Sequence, residues 1–153
     1  MPREGGQERG PEPVVVLHRL SGTKKAQELC RLVEMLYQAG RKVTVWAEDA
    51  GRAATLDEYL WTFAQHSFIP HTLWNGGDPL DDPVVLVTGT LVNPNASEVL
   101  VVADHLADLS LATAWPEAHD FVTAAAEDAG KKEAWTAAAF TVKEARGVGH
   151  AAS

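Results

Sequence analysis

Short runs of apolar, β-branched residues alternate along the chain with stretches in which apolar residues recur every three or four positions. The run VVVLH, residues 14–18, predicts a strand buried on both faces, and RKVTVWAED, residues 41–49, predicts a second strand. Between them, the apolar residues of 26–37 share one helical face, and Gly40 is typical of the residue that follows a helix. Residues 21–23, SGT, are expected to supply the N-terminal cap of this helix.

A second amphipathic helix is predicted within LDEYLWTFAQHSFIPH, residues 56–71. Its expected buried stripe consists of Leu56, Tyr59, Leu60 and Phe63. At about 100° per residue, Trp61 falls roughly 140° from Leu56, on the polar side, so we expect it to be exposed. Because Trp is enriched at the centres of interfaces, Trp61 and the nearby Phe68 either form a docking surface or lie under a neighbouring loop.

The second half of the chain continues the alternation. After a loop rich in Gly, Asp and Pro, residues 75–83, the runs VVLVTGT (84–90) and EVLVVAD (98–104) predict two more buried strands. A short last strand is predicted at residues 120–122, and a final helix at residues 127–146, with acidic residues early and basic residues late. Apolar strands between helices predict an α/β domain, a three-layer α/β/α sandwich with a mostly parallel central sheet.

Length and charge restrict the possible classes of protein. With 153 residues, 46% of them hydrophobic, we expect one domain over residues 14–146, a disordered tail over 1–13 and a flexible C-terminus over 147–153. A net charge of -8 disfavours direct binding to nucleic acid. A single cysteine and the absence of a long apolar run predict a cytoplasmic protein without disulfides or membrane spans.

Candidate catalytic residues are few. Glu48 and Asp49 follow a predicted strand, where acid/base or metal-binding carboxylates occur in open α/β sheets. They would serve a small Mg²⁺- or nucleotide-dependent enzyme, but Asp49 also fits as the cap of the next helix. His66 and His71 lack the spacing of a zinc site, and Cys30 fits as a small core residue. Glycine patterns for phosphate binding are missing, so we expect a binding module without metal or cofactor.

The segment AGRKVTVWAEDAGRAATLDEYLWTFAQHSFIPHTL, residues 39–73, resembles the chi subunit family of bacterial DNA polymerase III. The family pattern has two basic residues before a strand, two carboxylates after it, a helix with L-D-x-x-L-W, and then S-F-[IV]-P-H. The matching residues are Arg41 and Lys42, Glu48 and Asp49, Leu56 and Asp57, Leu60 and Trp61, and Ser67 to His71. Weaker similarity extends from residue 14 to about residue 146.

The resemblance implies an α/β/α fold that has no catalytic activity and binds protein partners. A psi-like clamp-loader subunit, or a helicase, is expected at a surface that contains Trp61, Phe68, Asp57 and His71. Because an exposed Trp61 could also pair with its counterpart in a second copy, self-association is an alternative for this surface.

The resemblance also implies a pocket for the acidic C-terminal tail of single-stranded DNA-binding protein, built from Val122, Lys131, Lys132 and Trp135. The lysines would pair with carboxylates, and Val122 and Trp135 would line a slot for the terminal apolar side chain. This sequence departs from the family by placing Thr136 and alanines where further basic residues are common. A chi-like adaptor without tail binding is therefore a third hypothesis, in which Val122 and Trp135 are core residues and the lysines form a solvated face.

Overall fold

A computed structural model of the chain describes residues 12–22, 24–62 and 68–148. The sequence interpretations of residues 1–11, Phe63, His66 and 149–153 lie outside these ranges. The strands are β1 (Val14–Arg19), β2 (Val43–Ala47), β3 (His71–Leu73), β4 (Val84–Thr88), β5 (Val99–Val102), β6 (Glu117–Val122) and β7 (Thr141–Arg146). The helices are α1 (Lys25–Gln38), α2 (Ala50–Thr62) and α3 (Lys131–Ala137), with 3₁₀ turns at Leu109–Ala114 and Ala126–Asp128.

The strands form one parallel sheet in the order β3-β4-β2-β5-β6-β1-β7, which leaves β3 and β7 at its two edges. Helices α1 and α2 cover one face, and α3 with the 3₁₀ turn at Leu109–Ala114 covers the other. The predicted α/β fold is confirmed. No helix among the described residues is both long and apolar enough to cross a membrane.

The core beneath α1 and α2 follows the predicted periodicity with one exception. Leu56 and Leu60 are buried as expected, but Tyr59 is 37% exposed, so its assignment to the buried stripe is wrong. The third buried residue of α2 is Ala53, so the buried stripe is narrower than the sequence suggested. Cys30 is fully buried, and burial raises the pKa of its thiol to about 12, as befits a small core residue.

The connection from β4 to β5 crosses the sheet without a helix and is held by buried polar side chains. The Thr44 hydroxyl donates to Oδ1 of Asn95 at 3.0 Å, and the Asn95 amide donates to the carbonyl of Asp82 at 2.9 Å. Nε1 of Trp115 donates to Oγ of Ser97 at 2.9 Å. Because these buried groups satisfy one another, the loop can lie against the sheet without leaving unpaired polar atoms.

The C-terminal region differs most from the sequence prediction. The helix expected over residues 127–146 is wrong, because α3 ends at Ala137 and the chain then forms β7, which pairs with β1. The Lys, Glu and Ala content of β7 favours a helix, but pairing with β1 overrides that propensity. After β7, Val148 is buried and its backbone N–H donates to Glu28.

Two smaller predictions also need correction. The helix α1 has Lys24 at its N-cap position, with no side-chain hydrogen bond there, so the N-cap residue is not one of residues 21–23 as expected. The strand predicted at residues 120–122 begins at Glu117, and β3 was not predicted at all. Gly40 has a φ of 80° immediately after α1, as its predicted position requires.

A row of polar side chains crosses from β1 to β6 on the α1 face. Nε2 of His18 lies 2.9 Å from Nδ1 of His119, and Nε2 of His119 lies 2.6 Å from Glu117, which also accepts a hydrogen bond from Arg41. The hydrogen bond from His119 lowers the pKa of Glu117 to about 2, and Arg41 adds to this against the effect of burial. Burial, together with the charge of His119, lowers the pKa of His18 to about 4.

His18→Gln should remove a pH dependence of stability. The unfolded chain protonates this histidine near its ordinary pKa of 6.5, and the folded chain only near a pKa of 4. Between these values the unfolded state binds more protons, so the free energy of unfolding falls as pH falls, by at most about 1.4 kcal/mol per pH unit. Gln keeps a donor near the position of Nε2 without titrating.

Urea denaturation on either side of pH 6 would measure this slope. The matched control is His105→Gln, since His105 is exposed. An identical pH slope in wild type and His18→Gln would contradict the assignment.

Candidate partner-binding sites

Two exposed aromatic rings lie side by side at the end of α2. Trp61 is 52% exposed and Phe68 is 64% exposed, with their ring centroids 5.4 Å apart. The buried ring of His71 lies beneath them, 4.4 Å from the Trp61 ring. We call Trp61 and Phe68 the aromatic surface. An exposed aromatic pair with a buried support has the character of a preformed apolar docking patch.

His71 and Asp57 support the aromatic surface from below. Nδ1 of His71 lies 2.7 Å from the carbonyl oxygen of Ile69, and Nε2 lies 3.1 Å from Oδ1 of Asp57. These contacts tie the start of β3 to α2, so they set the position of the Trp61 ring. The four residues expected at this surface are therefore together, with Trp61 and Phe68 facing solvent and His71 buried.

Further features of the same edge were not found from the sequence. Tyr59 and Leu73 add exposed apolar area. Within the described residues β3 pairs only with β4, so the other side of its backbone is open to pairing with an added strand. The strand is only three residues long, which is too short for its alternation to be recognised in the sequence.

Of the two carboxylates considered for catalysis, that of Asp49 is engaged in local structure. Oδ1 of Asp49 accepts the backbone N–H of Arg52 at 2.9 Å, which caps α2. The N–H of Glu48 donates to Asp104 at 2.8 Å, and Arg52 also donates to Asp104. Across the described ranges, no group of three or more His, Cys, Asp or Glu side chains is placed to hold a metal ion. The arrangement matches the capping interpretation of Asp49.

At the opposite side of the sheet, α3 is fixed to β6 by a buried ion pair. Nζ of Lys131 donates to Oδ1 of Asp120 at 2.9 Å and to the carbonyl of Phe121 at 2.7 Å, and it lies 3.0 Å from Asp128. The indole of Trp135 is fully buried and donates to Oδ2 of Asp120 at 3.0 Å. Lys131 and Trp135 therefore face the protein interior.

The charges of this cluster compensate one another. Burial opposes the charged form of Lys131, but attraction to Asp120 and Asp128 outweighs it and raises the lysine pKa. Burial raises the pKa of Asp120 in spite of Lys131, whereas hydrogen bonds from Thr123 and Lys131 outweigh burial and lower the pKa of Asp128. The charge of Lys131 is neutralised by Asp120 and Asp128 and is not available to pair with a ligand.

Three of the expected pocket residues, Val122, Lys131 and Lys132, line an open groove of about 410 Å³ at the carboxyl end of β6. We call it the tail groove. It is also lined by Arg19, which the sequence analysis missed. Nζ of Lys132 lies 3.2 Å from Glu144, and Arg19 pairs with the same carboxylate. Hydrogen bonds from these two cations lower the pKa of Glu144.

Comparison with known proteins gives a consistent result. The sequence model of the family described as DNA polymerase III chi subunit, HolC, matches residues 13–144. The chain is similar to the probable DNA polymerase III subunit chi of Rickettsia prowazekii (strain Madrid E), at 32% identity over 74 residues, 48% of this chain and 44% of that protein. It is also similar to DNA polymerase III subunit chi of Escherichia coli (strain K12), at 31% identity over 97 residues, 63% of this chain and 65% of that protein.

Each of these alignments spans less than two thirds of the relative's length. Among solved structures, the fold is similar to that in the crystal structure of T4 UvsW, with a TM-score of 0.58 and 8% identity, over 88% of this chain and 41% of that chain. At this identity the likeness concerns the fold alone.

Lys131→Met should lower the free energy of unfolding by about 3–5 kcal/mol, because it leaves Asp120 and Asp128 without their buried counter-charge. The neighbouring Lys132→Met should change it by less than about 1 kcal/mol, since Lys132 is exposed. Urea denaturation followed by tryptophan fluorescence measures both. Asp120→Asn combined with Lys131→Met should recover part of the loss, and equally small effects of the two lysine variants would refute the buried pairing.

Proposed function

The chain belongs to the DNA polymerase III chi subunit family, and we propose that it is a non-catalytic replication accessory protein that bridges two partners. One partner is a psi-like subunit of the clamp loader, bound at the aromatic surface. The other is the acidic C-terminal tail of single-stranded DNA-binding protein, bound at the tail groove.

The observation that carries this proposal is the position of the two sites in the sheet. The aromatic surface lies beside β3 at one edge, and the tail groove lies at the ends of β6 and β1, next to β7 at the other edge. Seven strands have six spacings of about 4.8 Å, so the edges are roughly 29 Å apart. Two partners can therefore bind at the same time without competing for the same side chains.

The aromatic surface suits a partner with an apolar face. Trp61 and Phe68 are large, exposed and held in position by His71, so little conformational entropy is lost when a partner covers them. The open backbone of β3 next to them offers additional hydrogen bonds to an extended segment of that partner.

The tail groove suits a peptide with carboxylates and a terminal apolar side chain. Lys132 and Arg19 offer exposed cations, and half-buried Val122 offers apolar area. Trp135 and Lys131 are buried and contribute by holding α3 against β6. The absence of catalysis is part of the proposal and is supported by the use of Asp49 as a helix cap.

Trp61→Ala and Phe68→Ala should each weaken binding to a psi-like subunit by about 2 kcal/mol or more, roughly thirtyfold in Kd, as expected of central aromatic residues. Isothermal titration with the psi-like subunit measures this, and binding of the tail peptide should be unchanged. The matched control is Leu111→Ala, because Leu111 is 49% exposed but lies on the 3₁₀ turn at the opposite face of the sheet. Losses no larger than that of the control would exclude the aromatic surface.

Glu144→Gln should tighten binding of an acidic peptide that ends in Pro-Phe. The substitution preserves shape but removes the carboxylate that Arg19 and Lys132 share, so both cations become available to the peptide. We expect a gain of roughly two- to fivefold at low salt, which should disappear at high salt.

Glu58→Gln is the control for the peptide titration, since it makes the same charge change on α2, near the aromatic surface. If Glu144→Gln and Glu58→Gln had the same effect on peptide affinity, the peptide would not bind at the tail groove.

A further inference from the structure

A second and larger groove lies at the carboxyl ends of β1 and β7, beside the start of α1. It has a volume of about 800 Å³, and its basic side chains are Arg19, Lys24, Arg31 and Arg146. We call it the basic groove. Among the described residues that line it, Glu28 is the single acidic one, although the chain as a whole has a net charge of -8. Four cations around one groove in an acidic protein form a local site that favours anions.

Three of the four cations have no carboxylate partner among the described residues. In the part of the chain that the structure describes, no carboxylate lies within 4.0 Å of the charged nitrogens of Lys24, Arg31 or Arg146. Glu28 accepts the backbone N–H of Val148 at 3.3 Å, which occupies one of its oxygens. The first turn of α1 adds the partial positive charge of a helix N-terminus to that of the side chains.

The basic groove continues the tail groove, because Arg19 lines both. In the tail groove, α3 offers one exposed lysine, Lys132, since Lys131 is buried between two carboxylates. A peptide with several carboxylates would therefore meet too few cations there. Additional cations lie in the basic groove, beyond Arg19.

We propose that the basic groove binds the acidic residues that precede the apolar end of the tail, so that an extended peptide runs from Val122 past Arg19 to Arg31 and Arg146. This inference rests on the proposed function and adds a second subsite to it. Arginines bind carboxylates through paired, charge-assisted hydrogen bonds. A peptide is favoured over single-stranded nucleic acid because the described residues that line the groove include no aromatic ring on which bases could stack.

The test compares two peptides on one pair of variants by isothermal titration at low salt. The long peptide carries several aspartates before a terminal Pro-Phe, and the short peptide keeps one aspartate and Pro-Phe. Arg31→Ala combined with Arg146→Ala should raise the Kd of the long peptide roughly two- to twentyfold, and should leave the Kd of the short peptide unchanged.

The control combines Lys42→Ala with Lys143→Ala. It removes the same two charges outside the groove, since Lys42 precedes β2 at the opposite end of the parallel strands and Lys143 is not among the groove residues. This control should change the Kd of the two peptides by the same small factor. Thermal melting of both double variants checks that the fold is intact.

Three results would overturn the inference, and they are distinguishable. If wild type binds neither peptide, the proposed tail binding fails and the inference fails with it. If wild type binds both peptides and the double arginine variant behaves like the control, tail binding stands but the basic groove is not part of it. If the double variant loses binding of an oligothymidylate but binds the long peptide as wild type does, the basic groove is a nucleic-acid site and not a peptide site.

Discussion

The ion pair between Lys131 and Asp120 determines how the carboxyl end of the sheet is built. Both side chains are buried, which costs solvation free energy. The pair is stabilising because Lys131 also contacts Asp128 and the carbonyl of Phe121, and Asp120 also accepts the indole N–H of Trp135. Together these contacts anchor α3 across the end of β6 and allow the chain to continue into β7.

The same anchor explains why adjacent lysines have different roles. Consecutive residues of a helix point about 100° apart, so burying Lys131 turns Lys132 outward into the tail groove. The pairing of β7 with β1 then brings Glu144 between Lys132 and Arg19, and brings Arg146 to the basic groove. The chemistry of both grooves thus depends on a buried contact that no ligand touches.

Much of the fold could be predicted from local pattern. The apolar runs of β1, β2, β4 and β5 and the periodicity of α1 and α2 are signals within short windows, and the exposure of Trp61 follows from its angle on the helix. The sequence resemblance placed Trp61 and Phe68 together, and the structure shows these residues in contact.

The rest depends on contacts between distant parts of the chain. The segment of β7 has a helix-favouring composition and becomes a strand through pairing with β1, more than one hundred residues earlier. The burial of Lys131 depends on the position of Asp120 at the end of β6, and Arg19 reaches the tail groove only because β1 lies between β6 and β7. Contacts between such distant residues leave no periodic signal in the sequence, so the grooves could not be predicted from it.

In the proposed bridge, one molecule holds a partner at each edge of the sheet at the same time. Sedimentation velocity of the chain mixed with a psi-like subunit and single-stranded DNA-binding protein from the same organism tests this most directly. We predict a complex that contains all three proteins, with each partner bound as tightly in the presence of the other as in its absence. Displacement of one partner by the other, so that only binary complexes form, would contradict the bridge.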